Sequence, residues 1–140
     1  MKEENSYIAG ANLDGLPFLF EKIEHMTADY GPATTNKAKL LLEEALVNIA
    51  SYAYKGAEQD VVRLELNLSD DPDKLALRFI DRGKPFNPLT MPDPDIEKAG
   101  EKEKAGGYGI YLMKQLSDKI EYKREGNENQ LEIILHLQQA

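Results

Sequence analysis

A chain of 140 residues, 41% hydrophobic and 30% charged, fits one domain over 1–140, which at this length buries roughly 70% of the surface its unfolded form exposes. A net charge of −8 argues against direct nucleic-acid binding, which wants a basic face; no apolar run of about 18 residues and no signal-like amino terminus point to a membrane or to export, so a cytoplasmic protein is expected. The absence of cysteine excludes disulfides, thiol nucleophiles and thiolate metal sites, and His25 and His136 stand too far apart in sequence to form a ligand-spaced pair.

Ser6 to Ala11 reads as a short strand. A helix is predicted from about Asp14 to Tyr30, with Leu16, Leu19, Phe20, Ile23 and Met26 inward, Asn12 or Asp14 as cap and Gly31 as stop. Pro17 is compatible with it because it falls in the first turn. After Pro32, with Thr34 or Thr35 as cap, a second helix is predicted to about Tyr54, where Gly56 ends it; at roughly 30 Å it would cross the domain.

The hydrophobic period then changes to two. Val62, Leu64, Leu66 and Leu68 alternate with polar residues, and beyond the turn Ser69–Asp73 so do Leu75, Leu77 and Phe79, which predicts an antiparallel hairpin with one face buried. Lys119–Arg124 and Gln130–Leu137 repeat the pattern around a turn read as Glu125–Asn129. Strands apolar on one face want helices on that side alone. The expected architecture is therefore an α/β two-layer sandwich, a mostly antiparallel mixed sheet with helices on one face. Between the hairpins, Arg82 to Gly107 is irregular and carries Pro85, Pro88, Pro92 and Pro94 before a mixed-charge run, and a loop of that length in a small domain is usually functional or disordered.

Three blocks carry candidate chemistry. Glu44 and Asn48 are one turn apart on the helix face opposite the stripe of Leu42, Leu46, Ile49 and Ala53. A carboxamide oxygen can ligate a hard cation and a neighbouring carboxylate can take a proton, although such pairs also occur on ordinary solvated helices. Asp81-Arg82-Gly83 closes a strand, as a turn does, or aims a carboxylate into a cleft. Gly106-Gly107-Tyr108-Gly109 opens a predicted helix bearing Ile110, Leu112, Met113 and Leu116, and glycines there let backbone N–H groups approach a phosphate. Neither a Walker motif nor a full Rossmann fingerprint is present.

In this order the three blocks resemble the N, G1 and G2 boxes of the GHKL ATPase superfamily, to which gyrase, histidine kinases and mismatch-repair ATPases belong. The small size, the block Asp81 to Pro88, and the block Gly106 to Met113 followed by Ser117-Asp118 are similar to the anti-sigma-factor serine/threonine kinases, over nearly the whole chain. The resemblance implies a Bergerat-type ATP-binding fold and a protein kinase using ATP and Mg2+. Its partners would be a phosphoacceptor antagonist of an anti-sigma factor and a sigma factor, and a homodimer is compatible with it. Asn48 would hold magnesium and Glu44 would act as general base. Asp81 would accept from the adenine amine, and Gly83 would let the base lie close. Gly106, Gly107, Tyr108 and Gly109 would receive phosphates, and Leu89 to Ala105 would form an ATP lid contributing Lys102 or Lys104. Tyr52 stands where these kinases often carry a histidine, and the lid has lysines where an arginine is common. The competing reading is a nucleotide-gated protein-binding module with little turnover.

Overall fold

The computed structural model describes residues 3–54, 60–70, 72–94 and 108–138. The alternating segments form strands β1 (Glu3–Gly10), β2 (Val61–Ser69), β3 (Lys74–Asp81), β4 (Lys119–Glu125) and β5 (Glu128–His136), in spatial order β1-β2-β3-β5-β4. Every pairing among the described residues is antiparallel, where a mostly antiparallel mixed sheet is expected from the sequence. Register puts Leu64, Phe79, Leu131 and Tyr122 in one row across four strands, all on the inner face. The outer face is polar at mid-sheet, where the Arg78 guanidinium donates to Glu65 at 3.0 Å and to Gln130 at 2.7 Å.

Among the described residues, three helices cover the inner face: α1 (Leu16–Met26), α2 (Pro32–Asn48) and α3 (Tyr108–Leu116). Leu19 and Ile23 of α1, Leu41, Leu42 and Leu46 of α2, and Ile110 and Met113 of α3 are fully buried against Leu66, Leu77 and Phe79. The helix ends differ from those read in the sequence. Gly15, with no side-chain cap, precedes α1, while Asn12 instead accepts from the Asp14 N–H at 2.8 Å in a local turn. Gly31 precedes α2, and Thr34 and Thr35 lie inside it, because Pro32 suits the first helical position; Thr35 is engaged with Thr27 and with the Gly31 carbonyl. The long helix also changes character before its end: from Ile49 to Tyr54 it widens into a π-helical turn.

Phe79 lies at the centre of the sheet and is fully buried. Phe79→Ala is expected to cost about 3–5 kcal/mol, seen in urea unfolding as a lower midpoint at unchanged slope.

Candidate functional site

The site is assembled at the carboxyl end of α2. Asn48 is 7% exposed, and its carboxamide N–H donates to the Glu44 carbonyl at 2.7 Å, which leaves its oxygen as the atom available to a cation. The π turn follows at once, a helix defect that recurs at functional sites because it re-aims side chains. It is fastened to the chain leaving β3. The Tyr54 hydroxyl accepts from the Arg82 N–H and donates to the Val61 carbonyl, both at 2.7 Å, and the Ala53 carbonyl accepts from the Lys84 N–H at 3.0 Å. Gly83 is needed for that approach, since a Cβ there would lie 2.6 Å from the Ala53 carbonyl oxygen. The close contact Gly83 makes in the structure is thus with backbone.

At the other side of Asn48, the first turn of α3 comes against α2. A Cβ on Gly109 would fall 2.1 Å from Glu44 Oε2 and 3.6 Å from Asn48 Nδ2, so Glu44, Asn48 and Gly109 converge. Burial, helped by neighbouring Glu43, pushes the Glu44 carboxyl above its ordinary range. Tyr108 opens α3 and its ring lies against Tyr111 at 6.4 Å. Lys102, Lys104, Gly106 and Gly107, with most of the expected lid, lie outside the described residues.

Asp81 is the last residue of β3 and 4% exposed. Its Oδ1 accepts from the Gly83 N–H and from Asn129 Nδ2, each at 2.9 Å. Burial raises its pKa, against the pull of these two donors and of nearby Arg124, whose guanidinium donates to the Gly83 carbonyl at 2.9 Å. Asp81 and Asn48 both line a narrow cavity of about 20 Å³, with Ala45, Ile49, Phe86, Tyr122 and Asn129 among its walls. That volume holds a water and no purine. Phe86 stacks on Tyr52 with ring centroids 4.8 Å apart, so Tyr52 backs the wall that Phe86 gives the cavity. A wider hollow of about 370 Å³ on the outer face, among Ile8, Arg63, Ile80 and Arg82, mixes both signs of charge.

Asn129 and Tyr122 were not legible as site residues from the sequence. The signal that finds them is the Gly126-Asn127 pair: it forms a two-residue turn, with Gly126 at φ 59°, so Asn129 belongs to β5 and faces inward.

Two glycine substitutions separate the backbone contact from the side-chain contact. Gly83→Ala is expected to lower the melting temperature, because Ala53 backbone cannot yield cheaply. Gly109→Ala is expected to keep the fold and displace the Glu44 carboxylate toward water, and a carboxyl NMR titration should show its pKa returning toward the ordinary glutamate value.

Residues 19–135 match the histidine kinase-like ATPase domain family. The chain is 26% identical to the serine/threonine-protein kinase BtrW of Bordetella bronchiseptica over 69% of its own length and 67% of the relative's. It is 30% identical to the serine-protein kinase RsbW of Listeria monocytogenes and 29% identical to that of Listeria innocua, each over 63% of this chain and 58% of the relative. The matches to the Listeria kinases therefore span less than two thirds of those proteins, and among the described residues no helix is long and apolar enough to cross a membrane. With the match running from α1 to the end of β5 and so across the whole constellation of Glu44, Asn48, Asp81 and Gly109, the chain belongs to the histidine kinase-like ATPase domain family.

Proposed function

We propose that this chain binds Mg-ATP between α2, the end of β3 and the first turn of α3, and transfers the γ-phosphoryl group to a serine or threonine hydroxyl of a small protein. The partner class is the antagonist of an anti-sigma factor, with a sigma factor as the alternate partner, acting in the cytoplasm. The observation that supports the reading is that Asp81 and Asn48 line one narrow cavity and that Asn48 and Glu44 meet Gly109 beside it. Kinase-named relatives support the same class.

A base seated on Asp81 would present its exocyclic amine to the carboxylate, an acceptor already oriented by Gly83. The cleft has to widen for a purine, and one wall is formed by Phe86, on irregular chain, and Pro88, which opens a single 3-10 turn over Pro88–Thr90. Magnesium fits the donor set: Asn48 offers one oxygen, since its nitrogen is engaged with the Glu44 carbonyl, and a magnesium ion commonly takes few protein ligands and the rest from phosphates and water. When bound, that ion would neutralise charge on the phosphates. Glu44 would take the proton of the attacking hydroxyl, and its raised pKa suits a base that must hold it.

Asp81→Asn is expected to weaken ATP binding about ten- to a hundredfold, since a hydrogen bond to a charged group is worth about 1.5–3 kcal/mol. Calorimetry with unchanged affinity overturns the assignment of Asp81.

Glu44→Gln is expected to leave ATP affinity in place and slow transfer about a hundredfold, the low end for a general base in a loose transition state. The base acts as the carboxylate, so the wild-type rate should rise as pH climbs through a pKa above the ordinary glutamate value, and the variant should lack that limb. Tight ATP binding without transfer to any candidate antagonist, and partner association indifferent to Glu44→Gln, would instead identify a nucleotide-gated binding module.

A further inference from the structure

Asp81 is held by a carboxamide from another strand, and the polarity of the groups around that carboxamide decides which of its atoms faces Asp81. Asn129 is 3% exposed on β5. The Lys84 carbonyl, which can only accept, lies 2.8 Å from its nitrogen, and the Phe86 N–H, which can only donate, lies 3.3 Å from its oxygen. Turned over, the amide would set acceptor against acceptor at Lys84 and at Asp81, and donor against donor at Phe86. Two backbone groups therefore fix the flip. The remaining Nδ2 hydrogen goes to Asp81 Oδ1, and the Tyr122 hydroxyl occupies the remaining lone pair of Asn129 Oδ1. Asp81 Oδ1, with Gly83 as its second donor, is taken up inside the protein, and Oδ2 is the oxygen left to meet a ligand.

We propose that Asn129 is a positioning and specificity-determining residue for the base: by holding Asp81 Oδ1 from the side it aims Oδ2 along the cleft, so that the site selects a purine with an exocyclic amine over one with an oxo group at that position. This rests on the reading of Asp81 as the base acceptor. An aspartate carboxylate turns easily about its last torsion, and only a held one presents a fixed acceptor. An oxo purine then meets acceptor with acceptor and leaves both buried groups unpaired. Without the Asn129 donor the carboxylate swings and also gains a proton more readily, since burial already pushes it up and Asn129 is one of the groups opposing that, with Gly83 and Arg124. A protonated Asp81 can donate to an oxo group. Both effects erase discrimination.

The test measures the affinity of the full chain for Mg-ATP and Mg-ITP, its 6-oxo counterpart, by calorimetry. Wild type is expected to favour ATP about tenfold or more. Asn129→Asp keeps the shape but turns an acceptor toward Asp81, and Asn129→Ala removes the donor; both should bring the ATP/ITP ratio to within about threefold of unity, with circular dichroism checking the fold. Tyr122→Phe removes one hydroxyl and leaves the two backbone groups that fix the amide, so it should keep most of the preference and shows whether general loosening of the network mimics the effect. A preference that survives in both Asn129 variants while both nucleotides weaken equally overturns the role of Asn129. The same holds if Tyr122→Phe loses the preference as fully as they do. Wild-type protein that binds both nucleotides alike, or neither, overturns the reading of Asp81 itself.

Discussion

A carboxylate buried at the end of a central strand has to be satisfied by donors that the fold supplies, and much of this end of the molecule is arranged around that requirement. Asp81 is inner-facing by register, opposite Val62 on one side and Asn129 on the other, so the alternation that buries Leu75, Leu77 and Phe79 carries an ionisable group inward as well. Burial alone would favour its neutral form. Gly83 and Asn129 answer with two hydrogen bonds at 2.9 Å, and the glycine also lets the chain turn beneath Ala53. The π turn, the Tyr54 hydroxyl and the Lys84 N–H then bind the end of the long helix to the same corner. Removing one of these groups leaves another unpaired in a place water hardly enters, which is costlier than the mean value of a hydrogen bond suggests.

This coupling gives the two ends of the cleft different mechanical characters. Asp81, Asn129 and Tyr122 sit on strands joined by continuous backbone ladders, so their relative positions are set by sheet register. Glu44, Asn48 and Gly109 sit on two helices that meet through side-chain packing and a missing Cβ. A sheet-borne end suits recognition of a flat base by fixed geometry. A helix-borne end can adjust where α3 meets α2, and the 91–93 segment is tied to α3 by Lys114, through the Met91 carbonyl at 3.3 Å and Asp93 at 2.8 Å, the latter a half-exposed ion pair of small worth.

Much of the fold was legible because its signals are periodic. Leu64, Leu66, Leu75 and Leu77 announce strands by alternation, and Leu42, Leu46 and Ile49 announce a helix by their spacing. Helix ends were less legible: Thr34 and Thr35 look like caps, yet Pro32 already starts α2, and nothing in Ile49–Tyr54 distinguishes a π turn from α-helix, because that choice follows from where Ala53 and Tyr54 must reach. In the candidate site, Glu44, Asn48, Asp81 and Gly109 stand out as candidates through the order of their three blocks and the resemblance it carries, whereas Asn129 was hidden by a turn read as five residues. A Gly-Asn pair is enough for a hairpin, and allotting Glu128 and Asn129 to the turn as well removed from view the residue that orients Asp81.

Whether a site of this shape is a kinase or a nucleotide-reading switch comes down to what Glu44 can do in its surroundings. A carboxylate on a solvated helix face would be ionised but too weak a base to hold a proton drawn from a hydroxyl. Glu44 is half-buried, pressed against Gly109 and beside Glu43, and both burial and the like charge raise its proton affinity. Burial and Glu43 raise the proton affinity of a carboxylate one helical turn from Asn48, and Glu44 lies at the contact that brings α3 to α2, so the packing that joins the two helices shifts this carboxyl in the direction that a general base would need.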